Sequence, residues 1–506
     1  MTIVAGMRYK SGGPLGWLTR WVFGARHREL WGTPVRVEAI VPERWRGGIT
    51  LLGADTGLRM GYLYYRDSVG ETWTFRAMDR DLTALMPDRF RRAAMSGFFQ
   101  DLYSARHPGA PLVWPTLARA AGVGVTSERL VAMMTGSAPS PGFLEHGVET
   151  RFRQELDDPG VAVPTSALLE TLASPGAQAV DTVSYLRERL FDLYVGAWDP
   201  LPQEWLWAER GGIFTPLPRD RDGAFSRFDG LVASLAATGW AELAEFGEDY
   251  TGKLPVTART RVLDRHLLTG LDRSRWIPVA LELRARLTDS VIEAAVDHLP
   301  PEYRARNGAE LAAKLRLRRD GLPEAAQRFR LLVVEDADVY GTTGSDSVSV
   351  EFSVDSVMRM RIAGRFDQSF HAAETNLVRL YLRGGDDVVL IRGSGVFAPM
   401  LHLAGPAGVT IMDSSLARRL QVSRDLSPPE LVDAAEAPLV RGSRFNAIPW
   451  LGFNSDQGLL VGGGVVQTTY DPDWDPWRRL IRLRAAYATA PSAFGVELRG
   501  EFRFRS

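Results

Sequence analysis

Cysteine is absent from this 506-residue chain, which excludes disulfides, thiolate metal sites and cysteine nucleophiles. Lysine is nearly absent: Lys10, Lys253 and Lys314 are three among 60 basic residues, so arginine has to supply almost every cation. Charge of one sign is not in excess. The formal net charge of −1 gives no reason for a nucleic acid partner. No run of about twenty apolar residues occurs, so no transmembrane helix is expected. The opening Met1-Thr-Ile-Val-Ala-Gly-Met-Arg8 has neither the basic start nor the apolar core of a signal peptide, and it reads as though already inside a folded segment. The seven histidines show no metal-ligand spacing. There is no Gly-x-Ser-x-Gly elbow, and no Walker lysine follows Gly211-Gly212, which read as a hairpin turn.

What is present is a globular composition over a length that exceeds one core, so two or three domains are expected. Residues 35–41, 49–53, 59–65 and 71–78 carry β-rich patterns separated by Gly and Asp turns, and residues 87–103 turn helical. From Pro164 to about Pro323 helical periodicity dominates. Val183, Leu186, Leu190 and Leu193 share one face of a helix ending before Trp198, followed by a strand-like Tyr194–Ala197. Thr288 is a fitting N-cap for a helix over Asp289–His298, and Gly321 with Pro323 a fitting stop for one over Ala309–Asp320. Short β segments follow from Leu331–Glu335 to Met400–Leu403, with Gly384-Gly-Asp-Asp387 as a turn rather than a calcium repeat, since it does not recur. Gly458–Thr469, Leu480–Thr489 and Gly495–Arg505 alternate apolar with polar or small residues, the pattern of membrane barrel strands, with Tyr470, Trp474 and Trp477 placed as an interfacial girdle.

One stretch carries chemistry. Asp199 and the pair Asp220/Asp222 flank a short hairpin, an arrangement by which a phosphoryl-transfer site sets a carboxylate on the acceptor hydroxyl and further carboxylates on magnesium. Glu204 is placed as an additional metal ligand. Arg76, on the strand Thr72–Met78, is the candidate phosphate cation, with Arg80 next. The alternative is a turn in which the Asp-Arg-Asp carboxylates cap backbone amides and pair with Arg219 and Arg221.

The segment Ala197-Trp-Asp199, Trp205-Leu-Trp207, Pro216-Leu-Pro-Arg-Asp-Arg-Asp-Gly-Ala-Phe225 and Phe228-Asp-Gly230 resembles a family of large bacterial outer-membrane proteins that end in a surface-antigen barrel of the BamA type. The likeness extends to Trp73–Asp81, Ser104–Pro108, Leu299–Pro301, Leu315–Pro323 and Pro449–Phe453. The middle of that family in turn looks like the CotH spore-coat proteins and secretory-pathway kinases. By this resemblance Asp199 matches the catalytic aspartate, Asp220 and Asp222 the metal pair, and Arg76 the phosphate cation. The sequence departs from the pattern at Pro200 and Leu201, which replace Arg-His, at Glu204, which replaces Gln, and at Arg80, which replaces Lys. The metal motifs of the metallophosphoesterase that some members carry are not found together here.

These readings give an α+β chain. A two-lobed kinase-like domain has its strand-rich lobe over 1–160 and its helical lobe over 161–330, followed by a small all-β domain over 331–425, a linker over 426–445 and the first strands of an outer-membrane β-barrel over 446–506. The expected function is binding of ATP with Mg²⁺ and phosphotransfer to a protein or envelope substrate. The alternative is a catalytically inactive interaction domain, periplasmic or surface-exposed, on a BamA-like barrel that serves outer-membrane protein assembly or transport. Three strands cannot close a barrel, so this reading calls for more chain.

Overall fold

The computed structural model describes residues 2–4, 24–55, 62–78, 103–124, 128–135, 138–146, 162–176, 179–197, 202, 205–217, 221–230, 245–250, 254, 257, 260–393, 398–405, 410–411, 420–423, 442–454, 458–471, 474–488 and 490–503. The chain is α+β and divides into two compact units, one of residues 1–11, 27–227 and 246–434, the other of 12–26, 228–245 and 435–506.

In the first unit, β1 (Thr2–Val4) pairs with β2 (Pro34–Arg36). A six-stranded sheet follows, built from β3 (Glu38–Ile40), β4 (Ile49–Asp55), β5 (Tyr62–Asp67), β6 (Thr72–Ala77), β7 (Glu128–Thr135) and β8 (Ala138–His146) in the order β3-β7-β8-β6-β5-β4. Alternation along β6 sends Trp73 and Phe75 into an apolar cluster with Tyr65, Val131 and Leu144, so Thr74 and Arg76 take the opposite face. The stretch read as helical before Tyr103 lies outside the described residues. His107-Pro108 leads into helix α1 (Ala110–Ala121).

Helices α2 (Thr165–Ala173), α3 (Thr182–Val195), α4 (Arg261–Leu268), α5 (Arg273–Arg286), α6 (Asp289–Val296) and α7 (Ala309–Val334) pack with α1 around one core that includes Trp114, Tyr185, Leu190, Trp205, Leu283, Leu315 and Phe329. Asp181 caps α3 by accepting from Ser184 N at 2.9 Å, and Gly196, at φ 68°, ends it. Tyr194 to Ala197 are therefore the last turn and cap of a helix, not a strand. Thr288 caps α6 as expected. The stop at Gly321 and Pro323 is not observed: α7 runs on through both, and Leu331–Val334 belong to it instead of to a strand. Leu311, Leu315, Leu322, Ala326, Phe329 and Val333 recur at helical spacing and are buried. Burying a large apolar side chain contributes ~1.5–3 kcal/mol, so several outweigh the ~3 kcal/mol of one helical proline.

A second sheet, of β9 (Ala162–Pro164), β10 (Ala179–Val180), β11 (Leu206–Arg210) and β12 (Ile213–Pro216), has the order β10-β12-β11-β9. Its β11–β12 hairpin turns on Gly211 and Gly212, both at positive φ, the turn the sequence indicates. Beyond α7 the chain winds as a parallel coil. Strands β13 (Asp336–Tyr340), β17 (Leu377–Tyr381), β19 (Met400–Ala404) and β21 (Leu420–Ser423) form one parallel sheet. Strands β14 (Ser347–Phe352), β18 (Val388–Gly393) and β20 (Thr410–Ile411) form the parallel part of the facing sheet, which β15 (Val357–Ile362) and β16 (Phe366–His371) extend as a hairpin. Successive turns set side chains in register: Tyr340 stacks on Tyr381 at 5.1 Å between ring centroids, and Asp338 pairs with Arg379 at 2.5 Å.

In the second unit, β22 (Gly442–Asn454), β23 (Gly458–Asp471), β24 (Trp474–Ala488) and β25 (Ala493–Phe502) form an antiparallel meander in that order. The sheet is open among the described residues. Its register puts Val465, Leu483 and Leu498 side by side on one face, with Phe445, Phe494, Val496 and Phe502 also on it, all exposed. Arg482, Arg484, Glu497 and Arg499 occupy the other face.

Candidate nucleotide site

Arg76 sits on a central strand between Tyr62 of β5 and Phe143 of β8, and its guanidinium carbon lies 5.8 Å and 5.4 Å from their ring centroids. Aromatic faces on both flanks hold the side chain and favour its charge. Its Nη2 donates to Glu128 Oε2 at the start of β7, while Nη1 stands 2.6 Å from Asp222 Oδ1, in the turn after β12. Arg106 Nη1 lies 3.9 Å from the other Asp222 oxygen. The sheet's cation and the motif's last aspartate, far apart in sequence, thus meet in one ion-pair cluster.

Arg221 explains how Asp222 reaches that position. Its own side chain is not exposed at all: Nε donates to Asp192 Oδ1 at 2.7 Å, Nη2 to Glu188 Oε2 at 2.5 Å, and the guanidinium carbon lies 4.9 Å from the Phe191 ring centroid. All three partners stand on α3. Arg189 of α3 links Asp192 at 2.5 Å to Asp264 of α4 at 2.9 Å, and Tyr185 donates to Asp264 at 2.8 Å. Gly124 N closes the other end by donating to Glu188 at 2.8 Å. Burial pushes the Glu188 carboxyl up against the pull of Arg221; for Arg221 burial opposes the charge, and Asp192 and Glu188 more than offset it. Breaking such a network costs far more than forming it gains, because each remaining member is left buried and unpaired.

The turn is fixed beyond Asp222 as well. Phe225 adopts φ 58°, a left-handed backbone uncommon for a bulky residue. Phe225 N donates to Val195 O at 2.9 Å, its ring packs on Phe246 at 5.3 Å, and His27 Nε2 donates to its carbonyl at 3.0 Å. His107 accepts from Gly109 N at Nδ1 and donates from Nε2 to Asn307 at 3.0 Å, with its ring 4.9 Å from His27. Burial holds His27 well below the ordinary histidine value and His107 down to about 4, so both are neutral. Arg318 of α7 satisfies the last turn of α3, donating to Leu193 O at 2.6 Å and Tyr194 O at 2.9 Å.

Of the residues singled out in the sequence, Arg76 and Asp222 come together. Asp199, Glu204, Asp220 and Arg80 lie outside the described residues. The pairing of Asp222 with Arg221 is not what forms: Arg221 turns inward to α3, and Asp222 goes to Arg76. Glu128 and Arg106 were missed. Arg106 lay within the quoted Ser104–Pro108 motif, whereas nothing marked Glu128. The Glu188 and Asp192 pair, four apart on a helix that also carries Arg189, was a readable signal for buried charge pairing. Among the described residues no group of three acidic or histidine side chains could hold a metal ion. The cluster joins two guanidiniums, Arg76 and Arg106, to two carboxylates, Glu128 and Asp222.

No family model matches the chain and no curated protein is similar to it. Among solved structures, the Helicobacter pylori proinflammatory kinase CtkA is similar at 10% identity and a TM-score of 0.33, over 57% of this chain and 98% of that one. The Shewanella oneidensis toxin–antitoxin complex of HipA, HipB and operator DNA is similar at 12% identity and a TM-score of 0.29, over 56% of this chain and 65% of that one. Likenesses this low bear on neither mechanism nor substrate.

Proposed function

We propose that the first unit is a kinase-like domain that binds ATP, with Arg76 receiving the phosphates, and that the second unit tethers it to the outer membrane. The observation that carries the first half is Arg76 bridging Glu128 and Asp222. In kinases a strand cation must be tied to a carboxylate of its own lobe, beside the metal-binding aspartate, before the phosphates can be held. Arginine keeps its charge at every working pH and offers a phosphate two parallel donors. In this reading Asp222 and Asp220 hold magnesium, with Glu204 as a further ligand. Asp199 orients the acceptor hydroxyl of a protein or envelope component.

One observation favours a second reading. Asp222 Oδ1 is already bonded to Arg76 at 2.6 Å, so magnesium has to displace a guanidinium. A domain that keeps this ion pair binds nucleotide without metal, or serves as a non-catalytic interaction module. Thermal unfolding with ATP, with and without magnesium, separates the readings. Under the first, saturating Mg-ATP raises Tm by about 2 °C or more, and Asp222→Asn removes the magnesium-dependent part. Equal shifts with and without magnesium select metal-free nucleotide binding; no shift under either condition rejects nucleotide binding and leaves the interaction module.

Support for the tether is the exposed apolar face of β22–β25. Phe494, Val496 and Leu498 are 81%, 73% and 72% exposed. From Phe494 to Phe502 that face extends about 27 Å along the strand at ~3.4 Å per residue, or about 20 Å of height at a ~40° tilt, most of the ~25 Å apolar band of a membrane barrel. Among the described residues no helix is long and apolar enough to cross a membrane.

A further inference from the structure

We propose a second ligand site, for a small polar anion bearing a phosphate or carboxylate, in the cavity between the helices and the parallel coil of the first unit. The cavity has a volume of about 340 Å³ and is lined by the start of α5, by Arg330 of α7 and by the β15–β16 hairpin. Its walls are joined, since Gln368 Nε2 donates to Gly270 O at 2.7 Å. The space is therefore built into the fold.

Its guanidiniums share their carboxylates. Glu374 Oε1 alone receives two guanidiniums, Arg330 at 2.7 Å and Arg273 at 3.3 Å. Asp367 is likewise shared by Arg359, through two bonds of 2.9 Å, and Arg361 at 3.0 Å. Asp272, at the rim, is spent on capping α5 through Ser274 N and Oγ. The lining thus holds three guanidiniums, Arg273, Arg330 and Arg359, and three carboxylates, Asp272, Asp367 and Glu374, with Arg273 and Arg330 crowded onto one carboxylate oxygen. Arg330, only 5% exposed, lines the cavity with its Nη2 on Glu374 and its Nε without a hydrogen-bond acceptor. Buried donors without acceptors are costly, and an oxyanion in the cavity supplies acceptors to Arg330 and Arg273 together. The volume exceeds what one bare phosphate fills, and polar groups dominate the walls, so the ligand has a polar body as well as the anionic group. This site does not depend on the nucleotide reading.

Isothermal titration of the full chain with inorganic phosphate, glycerol 3-phosphate and succinate, with glycerol as the neutral control, tests the proposal. Binding of either phosphate compound or of succinate, but not of glycerol, is expected in the wild type and in Arg76→Met, which disables the other site. Binding confined to the phosphate compounds identifies a phosphate site; binding confined to succinate identifies a carboxylate site. Arg273→Gln, at a side chain 62% exposed and therefore safe for folding, should weaken it by about tenfold. Arg330→Met should weaken it further. Absence of binding in the wild type, loss in Arg76→Met, or unchanged affinity in Arg273→Gln would overturn it.

Discussion

Arg221 Nε donates to Asp192 Oδ1 at 2.7 Å with neither side chain exposed, and this bond fixes the turn whose next residue faces Arg76. Asp192→Asn and Arg221→Met should each destabilise the protein by about 3–5 kcal/mol, since each strands a buried charge. The double variant should cost clearly less than the sum. Urea unfolding of the four proteins measures the coupling; strict additivity would show that the two side chains act independently.

Stability should fall on mild acidification. His27 and His107 are held below the ordinary 6.5 by burial, His107 to about 4. Above about pH 6.5 both are neutral folded or unfolded. Below it the unfolded chain takes up two protons that the folded chain refuses, so stability is lost as pH falls toward 4. The loss between pH 7.5 and 5 should be about 2 kcal/mol for each histidine. The check is a urea midpoint series, in which His107→Gln flattens the slope.

Replacing Pro323 by alanine should stabilise the protein by about 1 kcal/mol, because α7 already runs through this position and alanine restores a backbone donor. Thermal unfolding decides it. A lower Tm would mean that the proline ring is needed where it packs.

The exposed face of β22–β25 makes a separate demand. Wild-type protein should float with lipid vesicles, and Val496→Arg with Leu498→Arg should abolish flotation, since an arginine on a lipid-facing strand position costs about 2–4 kcal/mol at mid-bilayer. Equal flotation of both proteins would remove this face from membrane contact.

How far the sequence could be read depended on how local each signal is. The Thr288 cap, the Gly211-Gly212 hairpin and the apolar face of α3 depend on neighbours in the chain, and they stand as read. Gly321 and Pro323 misled because a buried stripe from distant residues overrides local helix breaking. The parallel coil was not visible, since short apolar runs between Gly and Asp turns look alike in parallel and antiparallel sheets. Arg76 and Asp222 were legible as chemistry. Their partners were not: Glu128 and the Arg221 clamp exist only once the sheet and α3 are assembled.

The most direct test of the central claim is the affinity for ATP of the wild type beside Arg76→Lys and Arg76→Met, measured by isothermal titration. If Arg76 receives the phosphates, lysine should weaken binding by about tenfold and methionine should abolish it, with all three proteins folded by circular dichroism. Equal affinity across the three would contradict the account.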